Sequence, residues 1–264
     1  IILGGGKMPV ALVTGASSGI GRDIAHELSK KGYDIIAVAR DEKALNELKQ
    51  NIEKENNTKV YVKTQDLTDR EGCKKLHEEV KEKFGVIDVL VNNAGFGTCG
   101  RFVENDLEKE IKMIDTNITA VHILTKLFLK DMVEKDKGYI MNVASIAGFM
   151  PGPLMATYYS TKAYVVRLTQ SICYELKKEK SNVKIVALCP GPVKTNFSKV
   201  ADVKFSLKEA SSKQVAKYGV NKMFKGRTLA FPSPKIWFAR VGSKLAPDGL
   251  LARICYKVQK RKIQ

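Results

Sequence analysis

Short runs of consecutive apolar residues alternate along this chain with longer segments whose apolar positions recur every three or four residues. The runs cover residues 9–14, 35–39, 60–63, 87–91, 139–143 and 183–188, and each reads as a strand buried on both faces. Between them, residues 23–31, 41–55, 71–84, 107–114 with 118–133, and 156–178 read as amphipathic helices. Strand and helix alternating with short connections predict an α/β fold, a doubly wound parallel sheet of about seven strands with helices on both faces. After Thr195 the pattern loosens. Residues 197–207 have no clear period, 208–224 read as a helix and 228–231 as a seventh strand. Residues 234–262 give two basic amphipathic helices parted near Pro247.

Composition adds a large core and an uneven charge. Of 264 residues, 44% are hydrophobic, enough to cover both faces of such a sheet. No apolar run approaches the ~18 residues of a membrane span. Residues 1–7 hold too short an apolar stretch for a signal-peptide core. They are expected to be a disordered leader, and residues 8–264 a single domain. Cys73, Cys99, Cys173, Cys189 and Cys255 are odd in number, widely spaced and without a C-x-x-C pair. That pattern points to reduced thiols and a cytoplasmic setting, with no metal site. His26, His77 and His122 are scattered over the helices and read as structural or solvated. The net charge of +17 sits mostly in residues 197–264, with 16 Lys+Arg against 3 Asp+Glu; residues 1–196 hold 29 against 25. Such a surface can meet acidic lipid, an acidic carrier or nucleic acid, or serve nothing specific. No nucleic-acid motif accompanies it, so no nucleic-acid partner is expected.

The first strand runs into Gly15-Ala16-Ser17-Ser18-Gly19-Ile20-Gly21 and then a helix. Glycines let a backbone approach a pyrophosphate, and a helix N-terminus offers free N–H groups and a positive dipole end. A glycine-rich turn alone is a weak signal; the strand before and the helix after give it weight. The second strand closes on Ala39, followed by Arg40 and Asp41. An acid directly after the strand would repel a 2′-phosphate, whereas arginine can grip one bidentately, which favours NADP(H). The plainer alternative is a solvated Arg40 with Asp41 capping the helix; Asp41 could also reach the ribose. The fourth strand ends in Asn92-Asn93-Ala94-Gly95, which suits a ligand crevice or an ordinary turn. Asn117, ahead of an apolar helical run, reads more readily as a cap than as a catalyst.

Tyr158 and Lys162 stand four apart in the 156–178 helix and share a face. An ammonium beside a phenol favours the phenolate and lowers its pKa, equipping it for proton transfer near neutral pH. Tyr159 and Tyr164 have Ala163 and Leu168 at that spacing, so only Tyr158 is equipped in this way. Ser145 lies two residues past the fifth strand.

Taken in order, Thr14-Gly15-x-x-x-Gly19-x-Gly21, Asn92-Asn93-Ala94-Gly95, Asn117, Ser145, Tyr158-x-x-x-Lys162 and Pro190-Gly191 resemble the short-chain dehydrogenase/reductase family over residues 8–195. The resemblance implies a Rossmann-like fold and a set of roles. Tyr158 would be the acid/base, and Ser145 would polarise the substrate carbonyl. Lys162 would depress the Tyr158 pKa and hold the nicotinamide ribose. Asn117 would anchor a water linking Lys162 to solvent. The pyrophosphate of NADP(H) would lie over Gly15, Ser17, Ser18, Gly19, Ile20 and Gly21, with Ser17 and Arg40 near the adenosine ribose. Asp66 and Leu67 would meet the adenine, and Asn93, Ala94 and Gly95 the cofactor backbone. Pro190, Gly191, Val193 and Thr195 would flank the nicotinamide. Hydride chemistry belongs to the cofactor, so no metal is implied.

The segments that would face the nicotinamide carry Phe96 and Phe102, then Phe149, Met150 and Met155, then Phe197, Val200, Val203 and Phe205. Of these, Phe96, Phe149, Met150, Met155 and Phe197 are the substrate candidates; Phe102 and Met155 could equally pack against the sheet. A bulky apolar ketone or alcohol is expected, first a hydroxysteroid of the bile-acid type. The alternatives are a 3-oxoacyl thioester reductase or a broad carbonyl reductase. A catalytically silent NADP(H)-binding protein is the reading from another class. Residues 197–225 would form a substrate loop and lid helix. Residues 233–264 would form basic helices able to touch an acidic membrane surface weakly. A homodimer or homotetramer is expected.

Overall fold

In the computed structural model, residues 8–195, 197 and 209–263 are described, with side chains as far as Lys260. Seven parallel strands form one sheet in the order β3-β2-β1-β4-β5-β6-β7. They are β1 (Val10–Thr14), β2 (Asp34–Ala39), β3 (Val60–Thr64), β4 (Val89–Asn92), β5 (Tyr139–Val143), β6 (Lys184–Leu188) and β7 (Leu229–Ala230). The helices are α1 (Gly19–Ser29), α2 (Glu42–Glu55), α3 (Arg70–Phe84), α4 (Leu107–Ile114), α5 (Ala120–Glu134), α6 (Ala156–Lys178), α7 (Ser212–Phe224), α8 (Pro234–Leu245) and α9 (Asp248–Ile263). This is the Rossmann-like doubly wound sheet that the alternation predicts.

β1 explains why the strands read as unbroken apolar runs. Ala11 and Val13 face one core, with Ile24 and Leu28 of α1 and Val215 and Val220 of α7. Val10 and Leu12 face the other, with Leu76 and Val80 of α3 and Leu124 and Phe128 of α5. Alternate side chains point to opposite faces, and helices cover both. Each large apolar side chain buried in this way contributes about 1.5–3 kcal/mol. α2, α3 and α4 each start at an aspartate, where Asp41, Asp69 and Asp106 accept from the N–H of Ala44, Gly72 and Lys109.

Three local differences matter for the site. α1 begins at Gly19 rather than Asp23, because the glycine turn itself winds into the first helical turn. Asn117 is not a cap: α4 and α5 run on through a π turn, Asp115–Thr119, with Asn117 inside it. A 3₁₀ turn, Ile146–Phe149, follows β5 and is capped by Ser145, whose Oγ accepts from the Ala147 N–H at 3.1 Å.

The strand order reverses at β1 and β4, which opens a crevice at their carboxyl ends. Thr14 ties the two ends together there. Its Oγ1 donates to the Val91 carbonyl at 3.3 Å and accepts from the Asn93 and Ala94 N–H groups at 2.9 and 3.1 Å. Among the described residues no helix is long and apolar enough to cross a membrane.

Candidate active site

A cavity of about 880 Å³ opens at the carboxyl ends of the central strands. Its glycine-rich wall is the β1–α1 turn, where Gly15 and Gly19 take φ of +63° and +55° that side chains rarely adopt. Ser18 precedes the first turn of α1 without capping it through its side chain, and no acid stands in that turn. The helix N-terminus is therefore positive and open to an anion. Gly15, Ser17, Ser18, Gly19 and Ile20 line the cavity; Gly21 does not. A Cβ on Gly21 would stand 2.3 Å from Asn93 Nδ2 and 2.4 Å from the Gly15 carbonyl oxygen, so its role is close packing beneath the turn. Asn93 Nδ2 donates to the Thr14 and Gly15 carbonyls at 3.0 and 3.2 Å, fixing the turn to the end of β4.

Arg40, Asp66 and Leu67 also line the cavity, as do Asn93, Ala94 and Gly95. Arg40 is exposed and forms no ion pair among the described residues. The Asp66 carboxylate accepts from the Thr68 N–H and hydroxyl, both at 3.0 Å. Those bonds hold its pKa below the usual range, and Arg40 adds to the effect. Asp41 caps α2. Pro190, Gly191, Val193 and Thr195 complete this side of the cavity. Glycine cradle, open helix end and exposed arginine suit a nicotinamide dinucleotide, its phosphates on the α1 terminus.

Ser145, Tyr158 and Lys162 meet where this wall turns toward an apolar chamber. Lys162 is buried and its Nζ donates to the Val143 carbonyl at 2.9 Å. Burial lowers its pKa to about 8, against a smaller opposing effect of Cys189. Burial pushes the Tyr158 phenol up to about 12, partly offset by its hydrogen bond with Ser145. Tyr158 therefore departs from the expectation that Lys162 lowers its pKa. The ammonium lies 5.9 Å from the Tyr158 ring centre and is committed to β5, so desolvation outweighs it. Asn117 is fully buried outside the cavity lining. Its Oδ1 accepts from the Phe96 N–H at 3.1 Å, and its Nδ2 donates to the Phe96 carbonyl and Thr161 Oγ1 at 2.9 and 3.1 Å. With its side chain occupied in this way, Asn117 holds the loop after β4 against α6.

Of the substrate candidates, Phe96, Met150, Met155 and Phe197 line the chamber, and the Phe197 ring lies 5.2 Å from that of Tyr158. Phe149 does not line it; the ring packs 5.6 Å from Phe231, beneath Arg240. Phe102 is exposed, and Met155 is buried while also lining the chamber. Val200, Val203 and Phe205 fall outside the described residues.

Sequence reasoning missed the far wall. Ile236 and Ala239 of α8, and Ile254, Cys255, Val258 and Gln259 of α9, close the chamber. Tyr159 belongs to it as well, its hydroxyl accepting from Gln259 Nε2. The available signal was the recurrence of Leu251, Cys255 and Gln259, every fourth residue, in a helix otherwise rich in lysine and arginine. The histidines serve elsewhere: His77 and Lys81 share the buried Asp131, and His122 meets the Tyr164 hydroxyl. Among the described residues no cluster could hold a metal, and no disulfide joins any of the five cysteines.

Fold and cavity together define an oxidoreductase site built for a nicotinamide cofactor. Residues 9–204 match the short chain dehydrogenase family. An oxidoreductase of Staphylococcus saprophyticus is 38% identical over 189 residues, 72% of this chain and 80% of that protein. The 3-oxoacyl-[acyl-carrier-protein] reductase of Haemophilus influenzae is 35% identical over 191 residues, 72% and 76% of the two chains. Among solved structures, a short-chain dehydrogenase from Sphingobium yanoikuyae in complex with NADPH superimposes with a TM-score of 0.81 at 28% identity, covering 92% of this chain and 95% of that one. The bulky-bulky ketone specific alcohol dehydrogenase from Comamonas testosteroni superimposes with a TM-score of 0.78 at 26% identity, covering 93% and 94%. The chain belongs to the short-chain dehydrogenase/reductase family, and it is an oxidoreductase of that type.

The two displaced pKa values predict a pH profile. At neutral pH Lys162 is charged and Tyr158 carries its proton. As pH rises, Lys162 loses its charge at about 8, well before the phenol ionises at about 12. If Tyr158 donates the proton in ketone reduction, the phenolate it leaves would then lack a nearby cation to stabilise it. kcat/KM for ketone reduction is therefore expected to be level near neutrality and to fall through about pH 8. A profile that stays level well above that value contradicts the assignment.

Proposed function

We propose that this protein is an NADP(H)-dependent oxidoreductase interconverting a ketone and a secondary alcohol on a bulky apolar substrate, first of all a hydroxysteroid of the bile-acid type. The observation that carries the reading is the joining of two unlike walls at Tyr158. One wall is glycine-rich and carries Arg40. The other holds Phe96, Met150, Met155, Ile236, Ile254 and Val258. The described α8 and α9 side chains that line the chamber include no charged group, so a small hydroxy acid or sugar would find little to bind. Gly15 to Ile20 would hold the pyrophosphate, Ser17 and Arg40 the 2′-phosphate, and Asp66 and Leu67 the adenine. The cofactor supplies or takes the hydride. Ser145 would orient and polarise the carbonyl and Tyr158 would give it a proton. Lys162 would stabilise the phenolate left behind, and the π turn at Asn117 would keep the loop and α6 in register for proton resupply.

Two likenesses support this reading: the Sphingobium enzyme was solved with NADPH, and the Comamonas enzyme is named for bulky ketones. The 3-oxoacyl reductase of Haemophilus favours a second reading, reduction of a 3-oxoacyl thioester. A silent cofactor-binding protein would need neither the proton donor nor its serine partner. We further propose a homodimer or homotetramer, a cytoplasmic location and a weak contact of the basic C-terminal third with acidic membrane.

The test is an NADPH-oxidation screen over steroid ketones, 3-oxoacyl thioesters and small ketones. kcat/KM for a steroid ketone is expected to exceed that for acetoacetate by at least ~100-fold, because several apolar side chains worth about 1.5–3 kcal/mol each would grip only the former. Preference for acetoacetate would refute the apolar reading, turnover confined to thioesters would select the second, and NADPH binding without turnover would select the silent protein.

A further inference from the structure

The C-terminal helices are built the wrong way out for a purely aqueous surface. α8 contains no buried residue, yet Trp237, Phe238, Val241 and Leu245 recur along one stripe. Phe238 is 66% and Leu245 81% exposed. The opposite stripe, Ile236 and Ala239, lines the catalytic chamber. α9 repeats the arrangement: Cys255 and Gln259 face inward, while Leu250, Ile254 and Tyr256 are exposed among Arg253, Lys257 and Lys260. Most helices are stabilised by packing their apolar face. Here the outer face has no protein partner among the described residues.

Charge decides what covers it. Residues 233–263 hold eight lysines and arginines against one acid, Asp248. A second copy of the same face would bring like charges together, whereas an anionic lipid surface attracts them. Beside the stripe a second cavity, of about 630 Å³, is lined by Lys222, Arg227 and Arg240 with Tyr218, Phe231 and Trp237. None of these three cations pairs with a carboxylate among the described residues. Cations ringed by aromatics at the edge of an apolar stripe suit a lipid phosphate at the headgroup level. Ile254 lies in both settings, lining the catalytic chamber and remaining 49% exposed. It marks the rim between chamber and outer face.

We infer that the outer face of α8 and α9 seats in the headgroup layer of an anionic phospholipid bilayer, with the catalytic chamber opening at Ile254 toward the lipid that carries an apolar substrate. The inference rests on the weak membrane contact proposed above and gives it residues and an orientation. It makes the contact partly apolar, so salt alone should not abolish it.

The test is flotation of the full chain with phosphatidylcholine vesicles and with vesicles holding about 30 mol % phosphatidylserine. The chain is expected to float with the anionic vesicles, with a fraction retained at high salt. The double substitution Phe238→Ser and Leu245→Ser should weaken binding at least roughly tenfold. Lys222→Gln with Arg227→Gln should weaken it and make what remains less dependent on salt. Reduction of a water-soluble ketone should be unchanged in both variants, which reports that they fold. If the wild type floats with neither vesicle, the membrane contact itself fails and the inference with it. If the serine variant binds like the wild type and only the glutamine variant is lost, an electrostatic contact stands and the apolar seat falls. A lower mass for the serine variant in sedimentation would make the stripe a subunit interface and overturn the inference.

Discussion

Replacing Tyr158 with phenylalanine is expected to lower kcat for ketone reduction by ~10²–10⁴-fold while leaving NADPH affinity within a few-fold. The change removes one oxygen. The ring keeps its place against Phe197, 5.2 Å away, and Ser145 keeps the Ala147 N–H that fixes its own hydroxyl. What goes is the proposed proton donor, which at a pKa of about 12 is fully protonated at neutral pH. Stopped-flow turnover beside a fluorescence titration of NADPH separates the two effects. Tyr159→Phe is the control, because that hydroxyl serves Gln259 and the α9 wall rather than the reacting carbonyl. A Tyr158 variant that keeps kcat within a few-fold, or a Tyr159 variant that loses as much, would move the acid/base elsewhere.

The sheet could be read from the chain because its strands are covered on both faces, so each announces itself as an unbroken apolar run. The glycine turn, Arg40, Ser145 and the Tyr158–Lys162 pair were legible for a related reason: spacing along one strand end or one helix face is a local property. What depended on distant partners was not. Asn117 looks like a cap because an asparagine before a helical run is one in most contexts. It lies inside the π turn instead, and its side chain bonds to Phe96, 21 residues earlier. Spacing alone predicts the wrong direction for the Tyr158 pKa, because it sets two side chains on one helix face but carries no information on desolvation. Nor does it reveal the Val143 carbonyl that holds Lys162. Its place after β5 puts Phe149 among the substrate candidates; its ring turns instead to Phe231 and Arg240, on β7's flank and α8. The far wall of the chamber stayed hidden because its stripe on α9 passes through Gln259, which breaks the apolar pattern.

Arg40→Ala is expected to lower NADPH affinity by roughly ten- to a hundredfold and to leave NADH affinity nearly unchanged. A charge-assisted contact to a 2′-phosphate is worth about 1.5–3 kcal/mol, and solvent screening of an exposed arginine argues for the lower end. The selectivity of the loss matters more than its size. Arg40 has no carboxylate partner among the described residues, so removing it breaks no ion pair there. α2 keeps its cap, because that bond belongs to Asp41 and Ala44. A general weakening of the wall would therefore have to come from the Asp66 carboxylate, whose low pKa owes more to Thr68 than to Arg40. Lys109 and Lys112 also line the cavity, and Lys112 acts on the same Asp66. If one of them held the phosphate instead, Arg40→Ala would leave both cofactors alone and the lysine variant would show the selective loss. Equal losses of NADPH and NADH would mean that Arg40 shapes the adenosine pocket rather than reading the phosphate. Isothermal titration of both cofactors against the three single variants distinguishes these outcomes.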